Sequence, residues 1–456
     1  MWNNLGRLYN VKKLGVRMHQ NFIFESILKS LFLVGIILNF IFFQSNGFSQ
    51  TTENVLLLDD LIKKAVEKNP QLQAFYNATL ADSAKIPQSG VLPDPILSLN
   101  ILNLPTNTFS FDQEPMTGKQ IALKQIFPFP GKLTLKEKIS AEDVAISKAN
   151  YNEYRNLMIK DLKIEYYDLF FIDKALEITD KNQRLLQEFA KITETKYAVG
   201  KGLQQDVLKA QVELSKMIDK IIQLEQKREV KQAQINTILN QSVNLPLGKP
   251  VEPEFIIFEK TLDTLQNLAR SHRPLLIGWE AVRKQSSLRI DLAKKDYWPD
   301  FSIFLAYTQR DELQNGNPGY DFLSGGISLN IPLYFGSKQS KKVEETRYTK
   351  SMIDERYRQV LNQVFFELEN KFTSAEKNAK LVELYKTGII PQASQSLESA
   401  MRGYQTDKVD FLTLINNQIT LFNYELDYYR LISDYNKDIT SLEFITGTYL
   451  LDTNKN

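Results

Sequence analysis

The side chains that ordinarily carry covalent or metal chemistry are scarce in this sequence. Its 456 residues include two histidines, His19 and His272, and no cysteine. Neither a His/Cys cluster of metal-ligand spacing nor a Ser-His or Cys-His nucleophile pair can be assembled from them. His272 stands in Arg270-Ser271-His272-Arg273-Pro274, just ahead of a helical stretch, where a capping or solvated role suits it. Adjacent carboxylates occur at Asp59-Asp60 and Glu344-Glu345, but neighbours on a helix point in different directions and do not share a substrate. No glycine loop has phosphate-cradling spacing. The sequence predicts no enzyme, no cofactor and no resident metal. Three other acids, Asp206, Asp407 and Asp410, lie close to Tyr- and Gly-bearing breaks. For Asp407 and Asp410 the plain reading is a helix N-cap or first-turn acid.

The elements that would position such residues come in duplicate. Leu92-Pro93-Asp94-Pro95 and, 206 positions on, Trp298-Pro299-Asp300 each open an alternating run, a polar loop and a second alternating run. The first copy closes at Gly131-Lys132 and the second at Gly336-Ser337-Lys338, so Pro93 to Lys132 and Pro299 to Lys338 both span 39 positions. A long helical stretch follows each, broken once by a Tyr-containing turn: Tyr197 to Gly200 in the first, Gly403 to Asp407 in the second. Duplication fixes architecture before any local assignment. The fold class is mainly α with a small β part, each half reading helix, strand, strand, helix, helix. Expected boundaries are a first repeat over 50–247, with strands at 96–104 and 119–128 and helices at 132–199 and 203–241. A linker over 248–256 follows. The second repeat covers 257–451, with strands at 300–309 and 322–333 and helices at 337–402 and 408–446, and a tail over 452–456.

The first 49 residues read differently. Arg7, Lys12, Lys13, Arg17 and Lys29 precede an apolar run over 31–43, then small residues at Gly47 and Ser49. This is the pattern of a secretory signal peptide cut after Ser49; an uncleaved anchor would need roughly 20 apolar residues. Met18 is an alternative start. Without residues 1–49 the chain keeps 51 basic and 53 acidic residues, a balance that argues against a nucleic-acid partner. Export without cysteine leaves stability to packing and assembly.

The alternating runs have the period of strands with one apolar face. Leu97, Leu99 and Ile101 oppose Ser98 and Asn100; Ile303 and Leu305 oppose Ser302, Phe304 and Ala306; Ile327, Leu329 and Ile331 oppose Ser328 and Asn330. Two soluble hairpins on a helical body is one reading. The other is membrane barrel strands, whose closure needs at least eight strands and therefore several chains, three copies giving twelve. Pro128, Pro130 and Gly131, and Pro332 and Gly336, stand where each second strand must bend into a helix, since proline cannot donate to a ladder.

No proline or glycine interrupts residues 133–199, and seven-residue spacings recur: Leu162, Leu169, Leu176; Ile178, Leu185, Ile192, Val199; and Leu412, Ile419, Leu426 beside Ile415, Phe422, Tyr429. Heptads over such a length predict coiled-coil packing. Sixty-seven helical residues would extend about 100 Å, too thin a rod to bury itself as a globule.

Together these features resemble the outer membrane efflux protein (TolC) family, over residues 57–451. The first break, Tyr197-Ala198-Val199-Gly200 with Asp206 six positions later, is similar to the family's hairpin-tip signature; in the second, Asp407 stands where the family often has glycine. The resemblance implies a long α-barrel joined to a shared 12-stranded outer-membrane β-barrel in a homotrimer, with the helices in the periplasm. It implies docking of a periplasmic adaptor (membrane fusion) protein coupled to an inner-membrane pump of the resistance-nodulation-division type. Docking would fall on tip residues Tyr197, Val199, Gly200, Leu203, Gly403 and Tyr404. Asp407, Asp410 and Asp206 are the gate and selectivity candidates, because a three-fold axis turns one acid into a charged ring. Residues 125–132 look like the strand-to-helix turn of the family's heavy-metal efflux branch. Two other readings stay open: a periplasmic coiled-coil scaffold without a pore, and the exit duct of a protein-secretion system.

Overall fold

The computed structural model describes residues 55–451; the expected signal peptide and C-terminal tail lie outside them. The chain begins with β1 (Val55–Leu56), α1 (Leu58–Lys68) and α2 (Pro70–Gly90). Asn69 ends α1 and starts α2, its side-chain oxygen accepting from the Leu72 N–H at 3.0 Å while Pro70 fills the first helical position. Then come β2 (Ile96–Leu102), β3 (Gly118–Phe127), α3 (Lys132–Ala198) and α4 (Gln204–Ile238). A short strand β4 (Lys249–Pro250) pairs parallel with β1. The second half repeats the order: α5 (Leu262–His272), α6 (Pro274–Lys295), β5 (Phe301–Gln309), β6 (Phe322–Leu329), α7 (Gln339–Leu384), a π-helical turn (Tyr385–Ile389), α8 (Ile390–Gln405) and α9 (Phe411–Thr446).

Two expectations need correction. The second alternating run ends at Leu329, not 333, because Pro332 cannot donate and Asn330 turns its side chain to accept the Asp300 N–H. The second long helix is not continuous. At the π turn the Ile390 N–H reaches back five residues to the Tyr385 carbonyl, just before Pro391, which has no N–H to give.

That π turn has an arithmetic purpose. Buried positions of α3 and α7 correspond at a spacing of 206: Met158 with Val364, Leu162 with Leu368, Leu169 with Ala375. Beyond the turn the spacing is 207: Ala190 with Leu397, Thr193 with Ala400. One added residue would rotate the rest of an α-helix by about 100° and expose its core face. The π turn absorbs that residue, so both long helices bury the same stripe. Among the expected heptad positions Leu162, Leu169, Ile415 and Phe422 are buried, whereas Val199 and Leu412 face outward near the tips.

The four long strands form one antiparallel sheet in the order β2-β3-β5-β6, so the two repeats are fused through β3 and β5, from Lys119 opposite Gln309 to Phe127 opposite Phe301. One face carries Leu97, Leu99, Ile121, Leu123, Leu305 and Ile327, all exposed. Leu99 is 74 % accessible. The other face carries polar links: the Asn100 amide donates to Gln120, and the Gln120 amide donates to the Thr308 hydroxyl, both at 3.1 Å. A sheet with oily side chains outside and a hydrogen-bonded row behind them inverts the usual soluble arrangement.

Candidate functional site

The hairpin tips are built alike from different residues. At the first, α3 ends with the Lys201 N–H donating to the Lys196 carbonyl (2.8 Å) and Gly200 in the left-handed region at φ +72°. At the second, the Lys408 N–H donates to the Gly403 carbonyl (2.8 Å) and Asp407 takes the left-handed position at φ +56°. Each left-handed residue comes three positions after a tyrosine, Tyr197 or Tyr404, and the N-cap position of each following helix, Leu203 or Asp410, comes three positions later. Asp410 therefore matches Leu203 in place, not Asp206, which lies in the first turn of α4.

The acids have distinct tasks. Asp410 accepts the Thr413 N–H at 2.7 Å, the N-cap bond of α9, and bonding to Thr413 holds its carboxyl below the usual range. Asp407 meets Lys196, whose ammonium sits 2.5 Å from its carboxylate, donates to the Tyr404 carbonyl at 2.8 Å and lies 4.3 Å from the centre of the Tyr404 ring. The Lys196 hydrogen bond and charge hold Asp407 low. Burial, with the charge of Asp410 adding, pushes Asp206 up. One cation thus ties the end of α3 to the second tip.

Close backbone approach explains two glycines. A Cβ on Gly403 would come 2.5 Å from Val409 Cγ2, and one on Gly202 would come 3.0 Å from Lys196 Cβ. Tyr404 is buried, its ring 5.6 Å from Phe411, so packing occupies it; Tyr197, Val199 and Leu203 stand exposed at the first tip.

The strand-to-helix bends form the other end of the site. After Pro128 the Phe129 N–H donates to Asp300 at 2.7 Å, Phe129 stacks on Trp298 (centroids 5.3 Å apart), and Gly131 turns the chain at φ +88° into α3. Lys132, nearly buried, holds Asp300 and Asp296 at 3.0 Å each. Burial opposes its charge and the two aspartates outweigh that, raising its pKa. The matching bend at Pro332 and Gly336 leaves Leu333, Tyr334 and Phe335 exposed.

Residues 265–448 match the outer membrane efflux protein family. In fold, the chain is similar to VceC of Vibrio cholerae, at a TM-score of 0.72 and 16% identity over 86% of this chain and 97% of that one. It is also similar to the Campylobacter jejuni outer membrane channel CmeC (TM-score 0.73, 12% identity, 87% of each chain). The open-state Neisseria gonorrhoeae channel MtrE compares at a TM-score of 0.71 and 14% identity, over 88% of this chain and 91% of that one. No curated protein matches the sequence.

Sequence reasoning missed Lys196, Val409, Thr413 and the Lys132–Asp300 pair. Trp298-Pro299-Asp300 is visible as a repeated motif, but its partner lies 168 residues away and carries no local signal. Lys196 is one charged residue among many on a charged helix. Among the described residues no group of acids or histidine could hold a metal ion.

Proposed function

We propose that this protein is the outer-membrane component of a tripartite efflux system, a passive trimeric duct from an inner-membrane pump and periplasmic adaptor to the cell exterior. The observation that carries the reading is the four-stranded sheet, apolar outside, hydrogen-bonded inside and open at both edges. Unpaired edges beside an apolar face are untenable in lipid, and three copies closing into a twelve-stranded barrel remove them. No described helix is long and apolar enough to cross a membrane, so lipid contact falls to the sheet.

The helices would then form a periplasmic tunnel. The pump is of the resistance-nodulation-division type, and the adaptor docks on the apolar first tip at Tyr197, Val199, Gly200 and Leu203, beside a second tip shaped by Gly403 and Tyr404. Asp407, Asp410 and Asp206 form acidic rings at the tunnel end. The domain plan is the one expected from the repeats, residues 50–247 and 257–451 joined by a linker, behind a cleaved leader.

The test is the mass and planar-bilayer conductance of the detergent-extracted protein. A species of three chains giving discrete steps supports the duct, and Asp407→Ala with Asp410→Ala should then raise conductance and weaken block by multivalent cations. A species released by high salt alone, without conductance, would overturn it in favour of a periplasmic scaffold.

A further inference from the structure

Each strand-to-helix bend borders a groove, and the repeat relates the two grooves. The first, about 560 Å³, lies between the end of α2, the start of α3 and the last turns of α6. The second, about 740 Å³, lies between the turn before β5, the bend after β6 and the start of α7. Leu92, Asp94 and Lys136 of the first become Trp298, Asp300 and Lys342 of the second, all at 206 positions. Both volumes fall in the range of ligand clefts.

Both grooves open at the rim of the apolar face. Exposed Ile331 lines the second and continues the alternation of Ile327 and Leu329. In the first, Gln125, in register with Ile303 of the apolar face, donates to the Pro93 carbonyl at 2.8 Å, and Pro93 lines the groove. Beyond that rim the lining turns cationic. Lys136 and Arg289 face Asp94 in the first groove; four lysines, Lys341 and Lys342 among them, face Asp296, Asp300 and Glu345 in the second. Each groove keeps one surplus positive charge. Lys136 has no ion pair among the described residues, and Arg289 reaches the Gln285 side chain at 3.4 Å. Lys341 and Lys342 hold exposed glutamates three positions on, pairs weak enough to share their cation. The Gln339 side-chain oxygen, in the wall of the second groove, is buried with no hydrogen-bond partner among the described residues.

We propose that the two grooves bind phospholipid headgroups of the leaflet facing the periplasm, and that the preferred headgroup is anionic and carries hydroxyls, as phosphatidylglycerol does. The phosphate diester lies against Lys136 and Arg289 in one groove and against Lys341 and Lys342 in the other, and a headgroup hydroxyl donates to Gln339. The occupant is a lipid because each groove runs from surplus positive charge to exposed apolar side chains, Val91 and Leu92 in the first, Ile331 and Leu333 in the second. Trp298 and Tyr334, both exposed, line the second groove at the level where barrels carry their aromatic girdle. The site rests on the outer-membrane duct reading and adds to it the lipid at the base of the barrel.

The test titrates phosphatidylglycerol into the detergent-extracted full chain and counts bound lipids by native mass spectrometry. Lys136→Ala with Lys342→Ala should bind it roughly fivefold more weakly in each groove, and Lys136→Arg with Lys342→Arg should retain it. The same charge removed at exposed Lys227 of α4 and Lys380, 38 positions along α7 from Lys342, should change nothing. Equal binding by the alanine variant and this control would overturn the site. Equal retention of a neutral diacylglycerol would overturn it too, since the chains alone would then suffice. Displacement of the lipid by millimolar inorganic phosphate would make the grooves free-phosphate sites and overturn the lipid assignment. Trimers that conduct leave the duct standing in all three cases; a chain released by high salt without detergent would overturn both.

Discussion

Lys196 and Asp407 meet at 2.5 Å across 211 positions of sequence, at the one tip where the left-handed residue is not glycine. Aspartate tolerates that conformation better than most residues, and here its carboxylate also finds a cation. The two hairpins are thereby tied at their ends.

Removing that tie should loosen the second tip first. In Lys196→Met, amide exchange over residues 404–410 should rise roughly two- to fivefold, as expected for an exposed ion pair, while the α3 amides near Leu162 stay unchanged. Exchange measured by mass spectrometry decides it; equal rates in both proteins would mean that the pair contributes nothing.

The tie has a pH window set by Asp407. Its carboxyl titrates below the usual 3.8, so its contribution is complete above that value and is lost as pH falls through the lowered one. The difference in tip exchange between Lys196→Met and the unsubstituted protein should stay flat from neutrality to about pH 4 and shrink only below it. Asp206 runs the other way: its pKa is raised, so its ionised form is disfavoured once pH exceeds that raised value. Asp206→Asn should therefore stabilise the tip at neutral pH and make little difference near pH 3.

Gly403 is a matter of space. Gly403→Ala gains up to about 1 kcal/mol of helix propensity and loses about 1–3 kcal/mol against the stiff Val409 side chain, a net loss. Adding Val409→Ala removes the 2.5 Å approach to Cγ2 and leaves the 3.1 Å approach to Cβ, so Gly403→Ala should cost less in the Val409→Ala background than in the unsubstituted protein. Thermal denaturation of the three variants checks the order.

How much of this was legible depends on the range of each cause. The strand alternation at Leu97, Leu99 and Ile101 has a two-residue period and shows in any window; the long helices show through absent Gly and Pro. Asp410 as an N-cap was one of two readings, and only the Thr413 bond distinguishes it. The π turn left no signal, because a one-residue change of phase is hidden until both copies' buried faces are compared. Tyr404 read as a tip residue and is a core residue, since burial depends on Phe411 folding back over it. Chain closure into a barrel involves other copies, so the alternating runs offered it as one of two readings and the resemblance implied it.

Asp300 is the joint between the repeats. Asp300→Ala leaves Lys132 nearly buried with only Asp296, and strands the Phe129 N–H. The expected cost is about 2–3 kcal/mol, more than for a surface pair, because a part-buried donor and a nearly buried charge each lose a partner. Asp300→Asn keeps the acceptor for Phe129 and should recover part of it. Urea denaturation of the detergent-solubilised protein measures both.

The π turn makes the sharpest prediction, because it assigns a function to one surplus residue. If the turn exists to absorb it, deleting Thr387 should return α7 and α8 to a 206-position match with α3, leaving Leu397, Ala400 and Tyr404 buried as before. Deleting exposed Lys181 from α3 has no such reserve: everything to Val199 rotates by about 100°, and Leu186 and Phe189 leave the core. Burying two large side chains is worth about 3–6 kcal/mol, so the Lys181 deletion should unfold the tip hairpin while the Thr387 deletion keeps it. Limited proteolysis at the tips separates the two. Equal resistance, or greater damage from the Thr387 deletion, would mean that the turn serves Pro391 alone and that the 207-position match beyond it is incidental.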